Sequence, residues 1–151
     1  MLSKLKYAGM KTEDLINIYI LHIRSVTEYC STAFHNSLSE EQNQKLESIQ
    51  KVALKVIFCQ NYMSYEEALL KASLTSLSKR REDRCLKYAL KASKHSENMH
   101  MFPPNKIESP QVTRNREKFH VNFAHTEAYR KSAIPSLQRL LNSYIDLAHK
   151  K

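Results

Sequence analysis

The stretch from Tyr19 to Leu38 reads YILHIRSVTEYCSTAFHNSL, and its apolar spacing sets the fold class. Thr12 offers an N-cap just upstream, with Glu13 and Asp14 in the first turn, where the helix dipole favours acids. The spacing predicts a helix over 12–34. Leu15, Ile18, Tyr19, Val26, Tyr29 and Ala33 share one face, and Ile16, Ile20 and Ile23 widen it. A helix so broadly apolar is packed on two sides or more, and it can lie at the outside only where a further neighbour covers it.

The same logic extends outward. Leu2 to Ala8 forms a short helix stopped by Gly9, the only glycine of the chain. Ser39-Glu40-Glu41-Gln42 is a capping box that opens a helix to about Phe58. Leu46, Ile49, Ala53, Val56 and Ile57 form its core face, and Gln44, Glu47, Lys51 and Lys55 its wet face. Ser64-Tyr65-Glu66-Glu67 reads as a second capping box, for a helix through Lys71. Ser78 caps a fifth helix over 79–95. Periodicity then fails from Ser96 to Arg116, where Pro103, Pro104 and Pro110 favour loop or extended chain. Lys118 to Phe123 alternates polar and apolar residues like a short strand. Pro135 suits the first turn of a last helix, with Leu137, Leu140, Leu141, Tyr144 and Ala148 on its buried side. The expected architecture is mainly α: a small bundle of about five helices, an irregular basic extended segment and a C-terminal helix. The expected divisions are a helical domain 1–95, a basic Pro-containing linker 96–126 and a C-terminal helical segment 127–151.

Composition agrees. A chain of 151 residues with 42% hydrophobic residues has enough apolar content for a core, and one glycine with four prolines excludes a turn-rich β-sandwich or barrel. The net charge of +9 is unevenly placed. Residues 1–70 hold 7 Lys and Arg against 8 Asp and Glu, residues 71–131 hold 14 against 6, and residues 132–151 hold 3 against 1. A localised basic surface points to a polyanion, with a solvated face as the plain alternative. No apolar run is long enough for a membrane span, and no signal-peptide core is present at the N-terminus. Cys30, Cys59 and Cys85 are widely spaced and odd in number, and each falls in an apolar helical pattern. They read as reduced core residues of an intracellular protein of nucleus or cytoplasm that is not secreted.

Arg80, Arg84, Lys87, Lys91 and Lys94 follow 4-3-4-3 spacing, which lays them along one helix face about 21 Å long. Cations in line repel one another unless a polyanion or an acidic partner is near. The readings are contact with nucleic-acid phosphates, a solvated face, and an acidic protein partner. A second cluster, Arg114, Arg116 and Lys118, has Phe119 and Phe123 interleaved. Such rings stack on unpaired bases or, more commonly, tether an extended segment to the core. His95 with His100, and His120 with His125, lack the convergent cysteines of a structural zinc site, so no metal and no cofactor are expected. His22 is placed on the apolar side of its helix, and His35 near the last carbonyls of the same helix. No phosphate loop, zinc-protease motif or nucleophile elbow is present. Tyr144-Ile145-Asp146-Leu147 offers one acid where two-metal phosphoryl transfer needs several, so no catalytic residue is assigned.

Several blocks, in order, resemble the C-terminal part of reverse transcriptases of non-LTR retrotransposons of the jockey and CR1-like type. Leu5-Lys6-Tyr7-Ala8-Gly9 with Asp14-Leu15 resembles the approach to the thumb helix. Tyr19, Ile23-Arg24, Glu28-Tyr29 and His35-Asn36-Ser37-Leu38 resemble its most characteristic run. Ile49 to Ile57, then Tyr65-Glu66-Glu67-Ala68-Leu69 with Leu74 and Leu77, then Arg80-Arg81-Glu82 and Cys85, are similar to the blocks that follow. Pro103-Pro104 with Arg114, and Thr126-Glu127, Tyr129-Arg130, Ile134-Pro135 and Arg139-Leu140-Leu141-Asn142, echo the remainder. Ser25 departs from a usual proline, Thr27 from an aliphatic residue, Phe34 from tryptophan, Ser73 from glycine and His125 from arginine, as in a drifting copy.

The resemblance implies a thumb and post-polymerase region that holds RNA or an RNA/DNA duplex through its backbone. The catalytic palm would lie before Met1, so the chain by itself is expected to be a non-catalytic fragment of an RNA-directed DNA polymerase. The alternatives are a stand-alone helical RNA- or DNA-binding protein and a helical protein-interaction module. The wide apolar face of 12–34, left without the palm, is expected to self-associate.

Overall fold

The computed structural model describes residues 1–104 and 118–148. Its elements are α1 (Leu2–Tyr7), α2 (Thr12–Ile18), a π-helical stretch Tyr19–Arg24, α3 (Ser25–Thr27), α4 (Ser31–Phe34), α5 (Glu40–Phe58), α6 (Tyr65–Lys71), α7 (Leu77–Ala92), α8 (Glu127–Lys131) and α9 (Ala133–Ala148). Short 3-10 turns occur at His35–Ser37, Cys59–Asn61 and Ser96–Asn98. The class is mainly α, as composition and periodicity require. Among the described residues the expected strand over 118–123 is reduced to one isolated antiparallel bridge, Pro104 with Phe119.

The chain forms two compact units, Met1–Cys30 with Leu38–Arg81, and Ser31–Ser37 with Glu82–Lys151. The division falls inside α7 rather than near residue 95. The described residues of 96–126 belong to the second unit instead of linking two others. The reason is packing: Phe102 and Phe119 join the same apolar cluster as Cys85, Ala89 and Ala92.

In the first unit, Leu2, Leu15, Tyr19, Ala53, Leu54, Ile57, Ala68 and Ala72 make the core. The expected single helix over 12–34 is broken. The π-helical stretch adds about one residue to the turn and rotates the downstream face. The inward series becomes Leu15, Tyr19, Ile23, Thr27 and Glu28, while Leu21, Val26 and Tyr29 turn outward at 66%, 74% and 76% exposure. Glu28 and Cys30 then end the run, Cys30 at a positive φ of 51°. His22 is exposed, not a core residue. Cys30 and Cys59 are also exposed, so of the cysteines expected in the core only Cys85 is buried.

Helix α5 starts at the expected capping box: Ser39 accepts from the Gln42 N–H, and the Ser39 N–H donates to the Gln42 side chain. Its buried side is Gln50, Ala53, Leu54 and Ile57, one step round from the expected stripe, and Ile49 lies at the surface. At α6, Ser64 accepts from the Glu67 N–H, but the Glu67 carboxylate pairs with Lys71 at 2.8 Å, so a capping box is only half formed. Helix α7 begins two residues before its expected start. Ser76 accepts from the Lys79 N–H, and the Glu47 carboxylate of α5 accepts from the Leu77 and Ser78 N–H groups at 3.1 and 3.2 Å. An acid at these unsatisfied donors is favoured by both hydrogen bonding and the helix dipole.

A buried polar chain runs through the first unit. The Tyr19 hydroxyl donates to Gln50 Oε1 at 2.7 Å, and Gln50 Nε2 donates to the Tyr65 hydroxyl at 2.9 Å and the Thr75 carbonyl at 3.0 Å. The Tyr65 hydroxyl donates to Glu47. Burial pushes the Tyr19 and Tyr65 phenols well above their usual range, and for Tyr65 the bond to Glu47 adds to the effect.

The core of the second unit is Cys85, Ala89, Ala92, Phe102, Leu137 and Leu141. Two side chains of α9 hold the extended chain against it. Asn142 accepts from the Phe119 N–H and donates to the Phe119 carbonyl, both at 2.9 Å. Gln138 is fully buried, accepts from the Asn122 N–H at 3.2 Å and donates to the Met101 carbonyl at 2.7 Å. These amides satisfy backbone groups that a sheet would otherwise have to pair. Pro135 lies in the first turn of α9, as expected. Tyr144 and Ala148 are exposed rather than buried, which leaves Leu137 and Leu141 as its anchors.

Candidate nucleic-acid interface

The cationic series on α7 divides by chemistry. Arg80 sits in the first unit, where its Nε lies 2.8 and 2.9 Å from the two carboxylate oxygens of Glu28. Glu28 is buried and Arg80 about one-third exposed, so this contact is shielded more than a surface pair. Arg80 is therefore held as a structural partner. The neighbouring Arg81 is fully buried and donates to Asn43 Oδ1 at 2.9 Å. A buried arginine inside the run SKRRED has no signature in sequence, because its charge and helical position match those of its exposed neighbours.

Arg84, Lys87 and Lys91 lie in the second unit on the exposed side of α7, away from the buried Cys85, Ala89 and Ala92. Lys94 is exposed too but lies past the last turn of the helix, in the turn where its N–H bonds to the Lys91 carbonyl. Lys87, Lys91 and Lys94 form no ion pair among the described residues. The stripe thus contracts to a shorter cationic face, Arg84 to Lys94.

Of the second cluster, Arg114 and Arg116 lie outside the described residues. Lys118 is mostly buried and pairs with Asp146 at 2.8 Å. That pair gives Asp146, the lone acid of the Tyr-Ile-Asp-Leu run, a structural role. Phe119 packs edge-on against Phe102 with ring centres 5.9 Å apart, as the tethering reading requires. Phe123 is exposed, with its ring against His125.

Clefts on the described surface include the following. One, of about 370 Å³, borders Glu40, Asn43, Glu47, Lys51, Tyr65 and Ser78. A second, apolar and about 380 Å³, borders Met1, Leu2, Ile23, Ile49, Val52 and Val56. A third, about 310 Å³, borders Asn36, Arg130, Lys131, Ser136, Arg139, Leu140 and Ser143. Among the described residues no group of three or more His, Cys, Asp or Glu is placed to hold a metal ion, and no helix is long and apolar enough to cross a membrane.

These features define a mainly helical protein of two compact units whose second unit presents a cationic helix face. No family model, no curated protein and no solved structure matches the chain.

Proposed function

We propose that this chain is a non-catalytic helical element that contacts the backbone of RNA or of an RNA/DNA duplex, of the kind that follows the polymerase core in non-LTR retrotransposon reverse transcriptases. The observation that carries it is the face formed by Arg84, Lys87, Lys91 and Lys94, exposed along one edge of the second unit, with its lysines unneutralised by described acids. A row of cations without sequence-reading side chains suits phosphate contact, which positions a strand rather than reading it. The ordered series of resembling blocks supports the family reading. So does the backbone at Ser73: where resembling sequences carry glycine, φ is +52°, a conformation glycine favours.

The test is binding of a single-stranded RNA and of an RNA/DNA duplex, followed by fluorescence anisotropy across a salt series. The logarithm of affinity should fall linearly with the logarithm of salt concentration. Replacing Lys87, Lys91 and Lys94 with Ala should reduce the slope by about 2–3, roughly one per lost phosphate contact. An unchanged slope, or no binding at low salt, removes the reading.

The apolar cleft over Ile23, Ile49, Val52 and Val56, with Leu21, Val26 and Tyr29 exposed, favours a second reading as a protein-interaction module. That reading predicts a complex that survives nuclease treatment.

A further inference from the structure

The corner between α8 and α9 gathers cations, and among the described residues no acid lines the cleft with them. Arg130, Lys131 and Arg139 border a solvent-open cleft of about 310 Å³ together with the polar Asn36, Ser136 and Ser143, and among the described residues no carboxylate borders it. Two features make it more than a basic patch. Arg139 is half-buried and held in place: its Nη2 donates to the Arg130 carbonyl and, at 3.2 Å, to Ser136 Oγ. Its acceptors among the described residues are both neutral, so no described acid cancels its charge at the cleft. Among the described residues Glu127 is the carboxylate paired with the other two cations, meeting Arg130 at 2.7 and 2.9 Å and Lys131 at 3.4 Å. Those pairs are exposed, and exposed pairs exchange readily for a better anion.

We propose that this cleft binds a phosphate group. A tetrahedral phosphate presents several oxygens to donors converging from different directions, and a guanidinium fork binds two of them side by side. The Asn36 amide borders the same space and adds a neutral donor, while the bordering Ser136 and Ser143 hydroxyls donate to the Arg130 and Arg139 carbonyls. The site lies on α8, α9 and the His35–Ser37 turn and does not involve the cationic face of α7. Its ligand is a free phosphate or the phosphate of a nucleic-acid end, and the two differ in what the assay reads.

The experiment uses the full chain and follows thermal unfolding with inorganic phosphate against chloride at equal ionic strength. Phosphate should raise the melting temperature saturably, as binding to the folded state alone requires. Arg139→Gln and Lys131→Gln should each weaken the phosphate response about tenfold. The exposed Lys131 provides the variant that keeps the unliganded melting temperature. Glu127→Gln, by removing the competing carboxylate, should strengthen the response, an outcome that loss of a merely structural contact does not produce. A 5′-phosphorylated oligonucleotide that binds more tightly than its 5′-hydroxyl twin, with the gain lost in Arg139→Gln, assigns the nucleic-acid source. Equal binding of the two with an intact phosphate response assigns the free ion. No phosphate response beyond that of chloride, or one that survives both Arg139→Gln and Lys131→Gln, overturns the proposal. Loss of the α7 salt dependence alone would leave it standing, so the two readings fail separately.

Discussion

Helices α1 and α6 end in the same backbone motif, but with different residues at its critical position. After α1, the Gly9 N–H bonds to the Lys6 carbonyl at 3.0 Å and the Met10 N–H to the Leu5 carbonyl at 3.1 Å. After α6, the Ser73 N–H bonds to the Leu70 carbonyl at 3.0 Å and the Leu74 N–H to the Leu69 carbonyl at 2.9 Å. Both are Schellman ends, which place one residue in the left-handed region. Gly9 has φ +86° and Ser73 φ +52°. An L-residue there costs about 1–2 kcal/mol, from which about 0.5–1 kcal/mol is subtracted for the greater freedom glycine loses on folding. Ser73→Gly should therefore stabilise the protein by roughly 0.5–1 kcal/mol, or about 2–3 °C in melting temperature for a chain of this size. Gly9→Ser should shift it by a similar amount in the opposite direction. A Cβ at Gly9 meets nothing within 4 Å, so new packing cannot offset the backbone cost. Ser73→Ala is the control: it keeps the left-handed penalty and should change little. Thermal unfolding followed by circular dichroism measures all three. A lower melting temperature for Ser73→Gly, or shifts of the same sign in Ser73→Gly and Gly9→Ser, would refute the reasoning.

Other outcomes follow from the buried polar chain and from the exposed apolar face. Glu47→Ala removes the acceptor shared by the Leu77 and Ser78 N–H groups and the Tyr65 hydroxyl. It should cost about 2–3 kcal/mol in urea unfolding, and Glu47→Gln less, because an amide oxygen still accepts. The raised phenol pKa of Tyr19 makes stability depend on alkaline pH. Below the ordinary tyrosine value of 10.0 both states hold the proton. Above it the unfolded state loses the proton first, so stability falls as pH rises, at about 1.4 kcal/mol per unit from this phenol. Tyr65 acts in the same direction. In Tyr19→Phe the alkaline slope should shrink, and an unchanged slope between pH 10 and 11 sinks the assignment. Val52, exposed at the rim of the apolar cleft, should drive concentration-dependent self-association that Val52→Asp reduces in sedimentation. A monodisperse monomer at high concentration contradicts that expectation.

Much of this fold was legible because local physics is written locally. Ser39 with Gln42, Ser64, Gly9 and Pro135 act within a few residues of themselves, and each stands at the helix end its chemistry suits. Periodicity failed where backbone geometry departed from 3.6 residues per turn. No side-chain pattern announces the π-helical stretch, and the shift of about one residue moved Val26 and Tyr29 from core to surface. Among the candidate site residues, spacing placed Arg84, Lys87 and Lys91 together, but it could not see that Arg80 meets Glu28 or Lys118 meets Asp146. Those acids lie 52 and 28 positions away. Gln50, Gln138 and Asn142 carried a faint signal, as polar residues set among apolar helix positions, but their partners are backbone and side-chain groups far along the chain.

The sequence by itself determined the helical class, most helix starts, the concentration of positive charge after residue 70 and the absence of the catalytic motifs sought. These depend on composition and on neighbours within one or two helical turns. Tertiary structure alone decided which cations are structural, which face of each helix is wet, and that the chain divides within α7. Each of those outcomes is set by groups brought together across long separations, whose desolvation and pairing no local pattern encodes.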